Sequence, residues 1–319
     1  MIVQLIIRRL AISLVILLAI SVLVFGATLL LPGDPALAIL GQQATPERIQ
    51  ALHEQMHLDD PAWSRYLSWL GGLFTGDLGT SVASGQPVAE LVGERARASV
   101  VLMIAAALIS VPAGIALGIW SALRRGRTVD SAITGISLVL AALPEFVIGI
   151  ALVALFATTV FSILPAVTMA PPGTQPWDFP AQLILPIAVL VLVVTPYIAR
   201  MMRATMLEVL DSGYVEMARL KGVPERRVIL RHALPHAIGP VAQVVAIQLA
   251  WMAGGVVVVE YLFRYPGLGQ ALIDAVNYRD VQVVQAVTMI VAVIYIVVNL
   301  LADIVGILAN PKLRTGGDR

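Results

Sequence analysis

An all-α membrane protein with six transmembrane helices and both termini cytoplasmic is what the sequence predicts, and three observations carry this. Of 319 residues, 59% are hydrophobic and only 13% are charged. Mean hydropathy is +0.89, more apolar than a soluble core of this size needs. The apolar residues fall into six runs, at about 10–31, 98–121, 131–158, 181–199, 237–259 and 283–308, each close to the ~20 residues a helix needs to cross a bilayer. The basic residues lie between the runs in a pattern. Arg8 and Arg9 precede the first, and Arg124, Arg125 and Arg127 follow the second. A block at 200–236 follows the fourth, and Lys312, Arg314 and Arg319 follow the sixth. Cytoplasmic connections carry the Lys/Arg excess. The four groups share one side only if 131–164 crosses once, which places 15 of the 21 basic residues in the cytoplasm.

The first run competes between a cleaved signal peptide and a retained span. It exceeds the roughly 7–15 residues of a signal core, and Pro32-Gly33-Asp34-Pro35 stops it abruptly. A retained span is expected. The loop that follows, about 32–97, lies outside. It holds an amphipathic helix Pro46–Met56, with Thr45 as N-cap and Pro46 at its first position. Trp63, Tyr66 and Trp69 come next, as rings suited to a membrane surface. In the second run, Gly114 and Gly118 permit close helix packing, within the chain or between chains.

The third run has a single formal charge between Ser131 and Leu164, Glu145, and Pro144 is expected to kink it. Counted from Ser131, Glu145 lies ~21 Å along the helix, near mid-membrane. A carboxylate there is costly in lipid, so it should face the bundle interior or a wet cavity. Glu145 is therefore a candidate for the translocation path, against a purely structural hydrogen bond or ion pair. The stretch 165–180 is rich in Pro and Gly and external. The stretch 260–282 reads as an external turn and a short helix. The chain thus divides into residues 1–97 (first span and external loop), 98–308 (a five-helix core with the loop 200–236) and a tail, 309–319.

That loop is the most informative segment. It holds seven Lys/Arg and four Asp/Glu. Asp211 or Ser212 can cap a short helix, and Gly222 can end it. Pro224 suits the start of a second helix running toward Pro235. The expected form is a helix–turn–helix on the cytoplasmic face. Arg219, Lys221, Arg226, Arg227 and Arg231 would point to lipid headgroups or to a partner. A solvated positive loop without a partner explains the charge alone, but not the ordered spacing of Glu216, Ala218, Gly222, Leu234 and Pro235.

With these residues the chain resembles the inner-membrane permeases of the dipeptide, oligopeptide and nickel importers of the ATP-binding-cassette class. The resemblance covers nearly its whole length. Leu30-Leu31-Pro32-Gly33-Asp34-Pro35 is similar to that family's end of span one. Leu58-Asp59-Asp60-Pro61 and Gly76-Asp77-Leu78-Gly79-Thr80-Ser81 are similar to its external loop. Leu143-Pro144-Glu145-Phe146 with Gly149 is similar to its third span. Tyr214-Val215-Glu216-Met217-Ala218-Arg219-Leu220-Lys221-Gly222, followed by Leu234-Pro235, resembles its ATPase-coupling loop. Glu260-Tyr261-Leu262-Phe263 with Tyr265-Pro266-Gly267-Leu268-Gly269 resembles its last external loop. Met217 replaces an alanine of that pattern, His232 an aliphatic residue, and Asn310-Pro311-Lys312 an Asp-Pro-Arg.

The resemblance implies a type I importer permease fold and an ATP-driven import function, with peptides as the commonest cargo. It implies a second, similar permease, two ATP-binding-cassette ATPases and an extracytoplasmic solute-binding protein as partners, beside membrane lipid. Tyr214, Glu216, Ala218, Lys221, Gly222, Leu234 and Pro235 would dock the ATPase. Glu260, Pro266, Gly267 and Gly269 would approach the binding protein. The implied location is a prokaryotic inner membrane.

Two other function classes fit parts of the sequence. An ion-coupled secondary transporter needs a buried ionisable relay, for which Glu145 is the one mid-span candidate. A membrane-anchored zinc hydrolase is suggested by His53-Glu54-Gln55-Met56-His57, a literal H-E-x-x-H, with Asp59, Asp60, Glu90 or Glu94 as a third ligand. A polar face on an external helix explains the same residues. No phosphate-binding loop is present, since the only lysines, Lys221 and Lys312, follow Leu220 and Pro311. ATP would have to be hydrolysed by a separate subunit. No catalytic residue, cofactor, metal or nucleic-acid partner is expected. The chain has no cysteine, which removes disulfides and thiolate sites.

Overall fold

The computed structural model describes residues 2–30, 44–55, 60–169, 171 and 174–309. Among these, every regular element is a helix, and the one β feature is an isolated bridge between Thr80 and Pro87. In chain order the helices are α1 (Ile2–Leu29), α2 (Pro46–Gln55), α3 (Ala62–Thr75), α4 (Val88–Leu123), α5 (Thr128–Ala142) and α6 (Glu145–Val153), which ends in a π turn (Ala154–Thr158). Then follow α7 (Pro180–Leu210), α8 (Gly213–Leu220), α9 (Leu234–Leu262), α10 (Leu268–Asn277) and α11 (Val281–Ala309). A one-turn piece, Glu225–Arg227, and a π segment, Val228–Ala233, lead into α9.

Five of these stretches are long and apolar enough to cross a membrane: Ile7–Leu29, Val88–Leu123, Pro180–Leu210, Glu225–Leu262 and Val281–Leu301. The sixth expected span differs from expectation. Pro144 does not merely kink it. Leu143 and Pro144 are both extended, with ψ of 134° and 143°, and α5 and the α6 segment meet at 105°. The residue before a proline is pushed out of the α region, so the helix stops and restarts. Neither half reaches the ~20 residues a crossing needs, so the two halves together count as one span.

The chain divides into two compact units. The larger comprises the described residues of Met1–Val3, Val100–Tyr265 and Tyr295–Arg319. Its centre is α7, which packs against α5, α6 and, most extensively, α9. Leu185, Val189, Leu190, Val193, Val194, Ile198, Met202 and Met206 of α7 are all buried. Gly114 and Gly118 of α4 face this helix. A Cβ at Gly118 would stand 2.5 Å from the Met202 Cβ, and one at Gly114 would stand 2.7 Å from the Ile198 Cβ. The small-residue pair thus serves packing inside the chain. Gly149 of α6 does the same against the Leu262 side chain of α9.

The smaller unit comprises the described residues of Gln4–Ser99 and Pro266–Ile294. Its core joins Val88 and Val92 to Leu268, Ala271, Ala275, Val283, Ala286 and Val287. The buried Asp280 carboxylate accepts hydrogen bonds from the Ser81 hydroxyl and from the Ala83 N–H, the latter at 3.1 Å. At α2, the Thr45 hydroxyl accepts from the Arg48 N–H at 3.4 Å, the expected cap. Tyr66 and Trp69 of α3 pack on Phe25 of α1, with ring centroids at 5.4 and 5.7 Å. The Tyr66 and Ser21 hydroxyls lie 2.8 Å apart. Of the three rings expected at the membrane surface, Trp63 alone is exposed.

Candidate functional site: the loop between α7 and α9

Only Asp211 and Ser212 separate α7 from α8. Ser212 is the N-cap by backbone geometry, with ψ of 146°. Its hydroxyl nevertheless donates backward to the Val209 carbonyl rather than capping α8. Asp211 caps α7 by backbone and extends its carboxylate to Arg125, with Nη1–Oδ2 at 2.8 Å.

The exit from α8 is a complete glycine stop. Gly222 has φ of +75°. Its N–H donates to the Arg219 carbonyl at 2.9 Å, and the Val223 N–H donates to the Ala218 carbonyl at 3.2 Å. This pair of bonds is the Schellman arrangement, in which a residue just past the helix takes the left-handed conformation that suits glycine. Val223 then packs with Val215, Ala218 and Val228 in a small hydrophobic cluster. The fixed distance from Ala218 to Gly222 thereby has a local cause: the buried Ala218 supplies the carbonyl that accepts from the Val223 N–H, and its side chain is the floor of the turn.

Arg219 was expected to face headgroups or a partner. Instead it closes the turn on itself. Its Nη2 lies 2.7 Å from Glu225 Oε1 and its Nε 3.2 Å from Oε2, a forked ion pair. The second helix also departs from expectation. It does not end near Pro235. After Glu225–Arg227 it widens into the π segment and continues through Leu234 and Pro235 as α9. Proline at the second position of α9 is tolerated because the wider winding ahead of it already breaks the ordinary hydrogen-bond register. Leu234 is half-buried and Pro235 exposed. Tyr214 meets His236 edge-to-face, with ring centroids at 5.2 Å.

The outer face of α8 carries a signal that sequence reasoning missed. Tyr214, Met217 and Leu220 are 46%, 53% and 74% exposed, at three-residue spacing on one face. Glu216 and Lys221 are exposed beside them. An apolar ridge on a short helix held by a two-residue link and a glycine stop is a shape that fits a groove. The signal was available in the sequence as Met217, noted there only as a departure from a pattern.

The other candidate positions are separate from this loop. Glu145 is the first residue of α6, where a carboxylate suits the positive end of a helix. It is half-buried, and its Oε2 is buried with no hydrogen-bond partner among the described residues. It abuts α9 where that helix has no side chain: a Cβ at Gly255 would stand 3.0 Å from Oε2 and 3.1 Å from the Trp251 ring. Glu260 lies in the last turn of α9 and is fully buried. Gly267 and Gly269, at the start of α10, are also buried, and Pro266 is half-buried. The exposed side chains of the stretch 260–282 include Tyr261, Arg264, Val276, Tyr278 and Arg279. His57 of the H-E-x-x-H lies outside the described residues.

The family described as binding-protein-dependent transport system inner membrane component matches residues 114–315. Its N-terminal counterpart matches residues 2–108. A Brucella melitensis chain named for a peptide transport system permease is 35% identical over 314 residues, 98% of this chain and 99% of its own. The dipeptide transport system permease protein DppB of Escherichia coli (strain K12) is 34% identical, covering 98% of each chain. In fold, the chain is similar to one in a crystal structure of an amino acid ABC transporter with histidines. The match has a TM-score of 0.51 at 18% identity and covers 68% of this chain and 93% of that one. Neither the ion-coupled transporter nor the zinc hydrolase finds support among these relatives. The chain belongs to the family of binding-protein-dependent transport system inner membrane components, as a multi-pass permease subunit of the bacterial inner membrane.

Proposed function

We propose that the chain forms one half of the translocation path of a peptide importer. In this reading it pairs with a second permease, two ATPases dock on the cytoplasmic loops, and a binding protein delivers the solute from outside. The permease itself hydrolyses nothing. The observation that carries the reading is the ridge of Tyr214, Met217 and Leu220 on α8, joined to α7 by two residues. A groove on an ATPase that moves with nucleotide would push α8 along α7 into the bundle, and two arrangements of the bundle would give alternating access. Tyr214, Glu216, Ala218, Lys221, Gly222, Leu234 and Pro235 form or support that dock. Peptide as cargo follows from the names of the relatives.

Glu145 belongs to the path in this reading, taking the amino group of the solute. Its buried, unpaired Oε2 beside the bare backbone of Gly255 supports this role, since a structural carboxylate in a membrane is normally paired. Two experiments test the proposal. Y214S/M217S/L220S should remove the ATPases from the purified complex and abolish uptake while the chain stays in the membrane. Retained ATPase and uptake would move the dock elsewhere. Glu145→Gln should lower uptake without lowering complex yield or Tm. A loss of assembly, or unchanged uptake, would take Glu145 out of the path.

A further inference from the structure

The loop end of the larger unit holds a polar cluster that the docking surface does not include. Asp130, in the first turn of α5, is buried. Its two oxygens receive four donors. Arg203 of α7 gives Nε to Oδ1 at 2.6 Å and Nη2 to Oδ2 at 2.8 Å. The Ser121 hydroxyl of α4 donates to Oδ1 at 2.6 Å, and the Gly126 N–H donates to Oδ2 at 3.0 Å. Gly126 itself has φ of +73°, so the turn between α4 and α5 is shaped to present that N–H. Eight residues further along α7, ~12 Å by helical rise, Asp211 meets Arg125 of the same turn at 2.8 Å. Toward the other end of the helix, Gly118 and Gly114 bring α4 against Met202 and Ile198.

We propose that Asp130 and Arg203 are positioning residues that brace the coupling helix. They hold the α4–α5 turn to α7, so that α4, α5, α7 and α8 move as one body when the ATPase pushes on α8. A single helix projecting from a membrane bends or slides under load. Three helices joined by a forked, four-donor carboxylate and by two glycine contacts do not, because each joint has one geometry and no slack. Loss of one partner leaves a buried charge unpaired, and the thrust is then absorbed at the joint. The brace rests on α8 being the dock, but its rigidity is tested without that premise.

Reconstitute the complete importer with its binding protein and measure uptake and ATP hydrolysis together. Asp130→Asn keeps the shape and removes the charge. It should lower solute moved per ATP by about tenfold or more, the scale of an ordinary coupling free energy, while stimulated ATP hydrolysis stays within about twofold. Arg203→Lys, which keeps the charge but loses the fork, should fall between. Equal loss of uptake and hydrolysis, or no loss of either, would overturn the brace. A second measurement stands even if Asp130→Asn fails to assemble. Arg125 and Asp211 are 61% and 64% exposed, so R125C/D211C can be joined by a short cleavable dithiol-reactive linker in this cysteine-free chain. If the turn and α7 move as one body, the linked importer transports at its unlinked rate. If linking stops uptake and cleavage restores it, the two parts separate during the cycle and the proposal is wrong. If Y214S/M217S/L220S leaves the ATPase bound, the docking reading fails alone, and the linker result still decides the rigid body.

Discussion

At Gly222 the backbone takes φ of +75°, and a Cβ there would meet nothing within 4 Å. Strain, not space, therefore decides the effect of a substitution. Gly222→Ala should destabilise the turn by about 1 kcal/mol, the cost of a left-handed non-glycine residue, read as a lowered Tm or reduced uptake in the intact complex. Gly255 is the opposite case, where space decides. Gly255→Ala would press a methyl group between the Glu145 carboxylate and the Trp251 ring, at 3.0 and 3.1 Å. Uptake should fall several-fold with complex yield unchanged; equal yield and equal uptake would mean that the carboxylate is not used there. Gly222 could be read from the sequence because a glycine after a short amphipathic helix has one common purpose. Gly255 could not, because its neighbour lies 110 positions away in the chain and only the packing of α6 on α9 brings them together.

Among elements, α3 has two sides of different use. Tyr66 and Trp69 are held by Phe25, while Trp63 and Phe74 are 68% and 78% exposed. Two aromatic contacts at about 0.5–1.5 kcal/mol each hold α3 on α1. Phe25→Ala should raise the open population about tenfold or more, seen as faster tryptic cleavage at Arg65 in detergent; unchanged cleavage would mean α3 is held by other contacts. The three rings read as membrane-surface residues in the sequence, yet which of them stays exposed and which packs on α1 was illegible, since Trp and Tyr serve both purposes equally well. The loop between α7 and α9 shows the same limit. Its first helix and stop were legible from Gly222, whereas the run of the second limb into α9 was not, because Pro235 reads as a terminator unless the π winding before it is known.

At the scale of the whole chain, the alternation of basic loops and apolar runs was enough to count crossings, because the bilayer sets both length and charge rules. The 105° break in the third crossing was beyond it: proline marks where a helix can fail, and only the neighbours α7 and α9 decide how far the halves turn. The sidedness can be checked directly. A single cysteine at Gln86, an exposed position, should react with an impermeant thiol reagent on intact cells. One at Lys221 should react only after permeabilisation. Reaction of both from the same side would contradict the orientation read from the charges.

That break also bears on how the chain is made. The last carbonyls of α5 and the first N–H groups of α6 have no helical partners and tolerate lipid poorly. Cover for them comes late. The Tyr197 hydroxyl, which donates to the Ala141 carbonyl at 3.5 Å, belongs to α7. Gly255 and Trp251, against Glu145, belong to α9. At bacterial synthesis rates the ribosome reaches α9 roughly 5–20 s after it has finished the break. For that interval the third crossing is a nascent segment with bare polar backbone and an uncovered carboxylate. It is the piece of this protein that the insertion machinery must keep out of the open bilayer until its later neighbours emerge.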